Sequence, residues 1–217
     1  MYSGTMIISF EGNVYSGKTT LISELKKLDK FIIIPEYSYF FKENDFQNLD
    51  AWSLQKKYME TDIQRVILLE NGEKSLVDRS ILSQAAHVWA SYKLNIVDIR
   101  KEFLEKLSAM IKQNRIIIPD LFITVKCSHD LIKKRYKLGE NSKQKKQTNP
   151  LLIKKEYLIQ IEYFLKKISS KIPSETIDTT ELNEMTSTRI LFQKIREHSK
   201  SKKYDLFKII KKQLFQN

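Results

Sequence analysis

The residues Gly12-Asn13-Val14-Tyr15-Ser16-Gly17-Lys18-Thr19 follow the spacing G-x-x-x-x-G-K-T. Ahead of them, Met6-Ile7-Ile8-Ser9-Phe10-Glu11 is mostly apolar and reads as a buried strand. Behind them, Thr20 to Leu28 sets Leu21, Leu25 and Leu28 on one helical face. Strand, glycine loop and helix in that order are the setting in which this spacing binds phosphate. Glycines let the backbone close around phosphate oxygens, and the N–H groups and dipole of the helix N-terminus favour an anion. Two of the chain's five glycines stand in this loop, so the match does not come from a glycine-rich composition. The expected ligand is a nucleoside triphosphate with Mg²⁺, cradled from Gly12 through Thr20. Lys18 is expected to reach the β- and γ-phosphates, and the Thr19 hydroxyl to ligate the metal.

A chain of 217 residues is long enough for one domain with a substantial core, and a single domain over 1–217 is expected. Hydrophobic residues at 41% and charged residues at 29% place it among soluble globular proteins. No apolar run approaches the ~20 residues that span a bilayer, and the start lacks the pattern of a secretory signal. Cys127 is alone, which excludes an internal disulfide and suits a reducing compartment. The cytoplasm is therefore the expected location, with no membrane partner. His87, His129 and His198 are too scattered to make a zinc site with it. The net charge of +12 sits mostly in two stretches, Lys133 to Lys146 and Lys200 to Lys212. Such stretches either attract a polyanion, a nucleotide or a nucleic acid, or form a solvated lysine-rich surface.

Outward from the loop, strand and helix patterns alternate, which argues an α/β fold with a parallel sheet. The strands are expected at Met6 to Glu11, Phe31 to Pro35, Ser75 to Asp78, Leu121 to Lys126 and Glu175 to Asp178. Helices are expected at Trp52 to Leu69, closed by Asn71-Gly72, then at Ile81 to Leu94, Val97 to Gln113, His129 to Leu138 and Leu151 to Ile172. The polar stretch Gly139 to Asn149 has few apolar anchors and reads as a mobile lid, set within 133–150. The basic segment 199–217 carries an amphipathic helix, Tyr204 to Phe215, with Phe207, Ile210 and Leu214 at helical spacing. A packed terminal helix is its expected role.

Asp78-Arg79-Ser80 closes the third strand, where side chains of a parallel sheet point into the ligand crevice. An acid there can hold Mg²⁺ beside Thr19, and an arginine can clamp phosphoryl oxygens bidentately. Glu36 ends the second strand and is the candidate to orient an acceptor hydroxyl or take its proton. Tyr37, Phe40, Phe41, Trp52 and Tyr58 are either stacking partners for a substrate base or core aromatics.

Phe10-Glu11-Gly12-Asn13-Val14, Lys18-Thr19-Thr20, Pro35-Glu36, Asp78-Arg79-Ser80 and Pro119-Asp120-Leu121 together resemble the deoxynucleoside kinase and thymidylate kinase family. The resemblance runs to about Ile195. It implies a P-loop NTPase fold, a three-layer α/β/α sandwich with a five-stranded parallel sheet in the order 2-3-1-4-5, a basic helical lid, and in many members a homodimer. By position it implies Glu36 as the base for the 5′-hydroxyl, Asp78 as the magnesium carboxylate and Arg79 as the phosphate clamp. Arg135 is then the lid arginine, and Gln55, in Trp-Ser-Leu-Gln, the reader of the substrate base, with Gln64 its rival on the same helix. An amide offers the donor and acceptor that a base edge needs. Two departures stand out. Arg135 is the lone arginine among lid lysines, and lysine cannot fork onto two oxygens. Val14-Tyr15 replaces the aspartate and glycine usual in thymidylate kinases.

The leading expectation is ATP-dependent phosphoryl transfer to a deoxynucleoside or a nucleoside monophosphate. The alternative is a nucleic-acid-binding P-loop protein or polynucleotide 5′-kinase, motivated by the basic lid and tail. A GTPase-like switch lacks its Asn-Lys-x-Asp guanine reader.

Overall fold

A computed structural model describes residues 6–41, 49–69, 74–140, 149–198 and 204–216. Five strands, β1 (Ile7–Glu11), β2 (Phe31–Ile34), β3 (Lys74–Asp78), β4 (Leu121–Lys126) and β5 (Ser174–Asp178), form one parallel sheet ordered β2-β3-β1-β4-β5. Each strand matches its expected span to within a residue. The reason is physical: β1 is buried at every position, and a strand covered on both faces reads as an unbroken apolar run.

Helices α1 (Lys18–Leu28) and α7 (Glu184–Glu197) cover one face, packing Leu21, Leu25, Leu191 and Ile195 onto Ile8, Phe10, Ile123 and Val125. On the other face, α2 (Ala51–Ile67), α3 (Ile81–Lys93), α4 (Arg100–Lys112), α6 (Lys155–Ser169) and α8 (Leu206–Phe215) enclose the larger core around Phe103, Phe122, Phe164 and Trp89. Helix α5 (His129–Glu140) seals the end of the sheet near the loop, with Ile132 against Cys127 and Leu158. The tail is a packed helix, as expected, with Leu206, Ile210 and Leu214 buried.

The differences from the sequence reading are local. The expected helix over Leu151 to Ile172 is a short 3-10 turn (Pro150–Ile153), an extended Lys154 and then α6. It stops at Ser169 because the hydroxyls of Ser169 and Ser170 turn back onto the carbonyls of Lys166 and Lys167, which competes with helix propagation. Helix α4 starts at Arg100, after Asp98 accepts the Arg100 N–H and guanidinium. Helix α7 has no counterpart in the sequence reading; its start is marked by Asn183, whose side chain caps the Thr186 N–H at 2.8 Å. Asn71-Gly72 and most of the expected lid, 141–148, lie outside the described residues, as do 199–203 and 217 of the expected tail segment.

Candidate phosphoryl-transfer site

The loop between β1 and α1 is shaped by backbone geometry. Gly12 has φ +134°, and a Cβ there would lie 2.3 Å from the Val125 carbonyl oxygen, so the loop crosses β4 at a distance only glycine allows. Gly17, at φ +97°, turns the chain into α1. Tyr15 is also left-handed, at φ 57°, and its carbonyl accepts a 2.9 Å bond from the Arg135 guanidinium. Its ring meets Tyr136 edge-on at 5.8 Å, so α5 is tied to the loop through two consecutive residues. From α6, Glu162 accepts the Asn13 amide at 2.7 Å.

The Lys18 ammonium donates to the Asn13 carbonyl at 2.7 Å and is buried. Burial, aided by the nearby Arg79 charge and opposed by Asp78, Glu36 and Glu11, lowers its pKa to about 8. The Thr19 hydroxyl donates to Asp78 Oδ2 at 2.6 Å, and Asp78 Oδ1 is buried with no hydrogen-bond partner. A hydroxyl and a carboxylate converging this way, with one lone-pair-rich oxygen unsatisfied, form an oxygen donor set suited to a hard divalent cation. Among the described residues, no group of three or more His, Cys, Asp or Glu side chains could hold a metal ion.

Beside this pair, Arg79 adopts φ 65° directly after β3, which turns its side chain into the cleft. Its guanidinium donates to the Gly12 carbonyl at 3.0 Å and stands 3.9 Å from the Glu36 carboxylate. Lys18, Thr19, Glu36, Arg79 and Arg135 all line one cleft of about 380 Å³, with Val14, Tyr15, Gly17 and Thr20. The sequence-derived triphosphate and transfer residues thus come together at one place.

Gln55 does not line that cleft. It is buried on α2 and its amide donates to Gln84 Oε1 on α3 at 2.6 Å, while Gln84 donates to Asp62 at 3.3 Å. Gln64 is exposed on α2, which separates the two rivals. Of the aromatics, Tyr37 is buried against Tyr58 and the Arg65 guanidinium, and Trp52 packs on the main core. Phe41 faces Tyr58 edge-on at 5.1 Å, next to Glu36 and Arg79, whose charges act on the Tyr58 hydroxyl.

Further side chains hold these groups in place. Glu11 is fully buried and accepts from Ser9, from the Ser80 N–H and hydroxyl, and from Ser83, locking β1 to the turn that carries Arg79. Thr179 donates to the Ser16 carbonyl at 2.9 Å. Ser187 on α7 lines the cleft with a buried hydroxyl that has no partner. Arg65 and Asp62 form a fully buried ion pair behind Glu36. A lone buried arginine looks like any surface arginine in a sequence, and Ser187 belongs to a helix the sequence reading did not assign.

The family model for "Deoxynucleoside kinase" matches residues 8–212. The chain belongs to the deoxynucleoside kinase family. It is a nucleoside or nucleotide kinase, and the nucleic-acid reading of its basic stretches is not favoured. Among solved structures, it is similar to deoxyadenosine kinase from M. mycoides with products dCMP and dCDP bound. Identity is 18%, coverage 89% of this chain and 100% of that one, and the TM-score 0.65. It is likewise similar to thymidylate kinase from Candida albicans, at 18% identity, 89% and 92% coverage and a TM-score of 0.60. At that identity these structures show the shared fold, the one expected from the sequence. No curated protein sequence matches it. No helix among the described residues is long and apolar enough to cross a membrane.

Proposed function

We propose that this kinase transfers the γ-phosphoryl group of ATP to the 5′-hydroxyl of a deoxynucleoside. The observation that carries the reading is the Glu36 carboxylate, 3.9 Å from the Arg79 guanidinium and on the same cleft as Lys18 and Thr19. A carboxylate at the transfer position can accept a hydroxyl proton, whereas it repels the anionic oxygen of a monophosphate acceptor. A deoxynucleoside is therefore favoured over a nucleoside monophosphate.

On the donor side, Gly12 to Thr20 wrap the phosphates with backbone N–H groups, and Lys18 neutralises charge on the β- and γ-phosphoryl oxygens. Thr19 and Asp78 hold Mg²⁺, which when bound neutralises charge on the phosphate oxygens. Arg79 stabilises the charge spread over the equatorial oxygens, and Arg135 adds a second guanidinium from α5. Glu36 orients the 5′-hydroxyl and takes its proton as the bond to phosphorus forms. Gln55, whose amide N–H is held by Gln84, is the candidate to read the acceptor base through its amide oxygen. The enzyme works in the cytoplasm, and association into a homodimer is part of the same family-based reading.

Glu36→Gln tests the acceptor side. It should lower kcat by about 10²-fold or more, the usual worth of a general base, while the KM for ATP stays within about threefold. Unchanged kcat defeats the assignment. Incubating the wild type with Mg-ATP and a panel of nucleosides and monophosphates, with products resolved by mass, identifies the acceptor; phosphorylation of monophosphates alone defeats the deoxynucleoside reading.

A further inference from the structure

We propose that Arg65 is the positioning residue that sets the acceptor carboxylate and the phosphate-clamping arginine relative to each other. The inference rests on the roles given above to Glu36 and Arg79. Arg65 lies on α2, away from the transfer cleft, and is fully buried. Its Nε donates to the Pro35 carbonyl at 3.1 Å, one residue before Glu36. Its Nη2 donates to the carbonyls of Asp78 at 2.9 Å and Arg79 at 2.6 Å. One planar group thus ties the end of β2 to the end of β3 at the three residues that present Glu36, Asp78 and Arg79. The remaining side of the fork meets Asp62 Oδ1 at 2.9 Å, and the Tyr37 ring lies 4.2 Å beneath it.

The arrangement answers a local need. Arg79 sits at φ 65°, a left-handed conformation that is unfavourable for a non-glycine residue and persists only where its surroundings hold it. The strand ends leave carbonyls that would otherwise be buried unpaired, and a guanidinium satisfies several of them from one rigid plane. Lysine has a single ammonium, which cannot span the Pro35 carbonyl and the Asp78-Arg79 pair together. Asp62 supplies the counter-charge that makes a buried guanidinium tolerable.

Arg65→Lys, made alone and combined with Glu36→Gln and with Arg79→Lys, is the test. If Arg65 acts through those side chains, Arg65→Lys lowers kcat by about 30-fold or more while the KM for ATP stays within about threefold, and the same change costs much less in at least one of the two backgrounds. A protein that is merely loosened loses the same factor in all backgrounds; that additivity overturns the proposal, as does a folded Arg65→Lys enzyme with kcat within about threefold of wild type. Wild-type kcat in Glu36→Gln alone would defeat the acceptor reading, and the Arg79 cycle would then decide for Arg65. Should Arg65→Lys not fold, Asp62→Asn, which keeps the shape of the pair but removes the counter-charge, is read in the same cycles by the same criteria.

Discussion

The donor wall of the cleft takes its shape from consecutive residues and backbone conformation, whereas the acceptor wall is assembled from side chains on β2, α2, β3 and α3. Gly12 to Thr19 take their shape from Gly12, Tyr15 and Gly17 at positive φ and from the first turn of α1. Behind Glu36 and Arg79, Arg65, Asp62, Tyr37 and Gln84 pack in a buried polar cluster that bonds the carbonyls of Pro35 and Arg79. A wall made of backbone tolerates change at most side chains but at almost none of its glycines. A wall made of side chains is re-tuned one residue at a time. On the roles proposed above, the donor half depends on backbone geometry and the acceptor half on side-chain packing.

The comparison breaks most sharply at Lys18. It is buried, and burial disfavours its charge, so its removal relieves a desolvation cost while deleting the phosphate contact. Lys18→Ala should lower kcat/KM by about 10³-fold with little change in the unfolding midpoint. Retained turnover would remove the phosphate loop from the mechanism.

Gly12→Ala attacks the same wall through the backbone. The new methyl would meet the Val125 carbonyl oxygen at 2.3 Å and demand a φ that alanine resists. A loss of about 3 kcal/mol in urea unfolding is expected, together with loss of ATP binding. Gly17→Ala is the sharper control. There the nearest atom is the Arg135 guanidinium at 3.5 Å, so only the φ of +97° is unfavourable and the cost should be about 1–2 kcal/mol. Equal losses at both positions would mean that the close approach to β4 is not what holds Gly12.

On the acceptor wall, Gln55→Leu keeps the volume but strands Gln84 without its 2.6 Å donor. It should raise the KM for the acceptor by about tenfold, with the KM for ATP unchanged; Gln64→Ala, at an exposed position, should change neither. An acceptor KM that ignores Gln55 would take the amide pair out of base recognition.

These contrasts also explain what the sequence could tell. The sheet and the loop were legible because each is written in neighbouring residues: an apolar run for β1, a fixed spacing for Gly12, Gly17, Lys18 and Thr19. Glu36, Asp78 and Arg79 were legible by position, since strand ends of a parallel sheet point into the crevice. Arg65 was not, because its value lies in carbonyls of Pro35, Asp78 and Arg79 that are distant in sequence and carry no residue signature. Helix α7 was missed for another reason: Ser187, Thr188, Leu191 and Ile195 bury a stripe that is half polar, so its periodicity is weak in the sequence although its packing is firm.

The smallest expected effect on the acceptor wall is read through pH. Burial raises the Asp62 carboxyl from its ordinary 3.8 to about 6, against the pull of the Arg65 charge and the bonds from Arg65 and Tyr37, with Glu11 adding to the rise. Between those values the folded protein holds a proton that the unfolded chain has released, so this group's contribution to stability falls as pH rises from about 4 to about 6 and is level above. The more open carboxylates Asp29, Asp50, Asp98 and Asp178 are shifted downward instead, so their contribution grows with pH and is complete above their ordinary values. Asp62→Asn should therefore change the slope of stability in the window from about pH 4 to 6 and leave the slope above pH 7 as it is. Urea unfolding of both proteins at several pH values reads this directly. Parallel curves across the window would mean that Asp62 stays ionised beside Arg65 throughout.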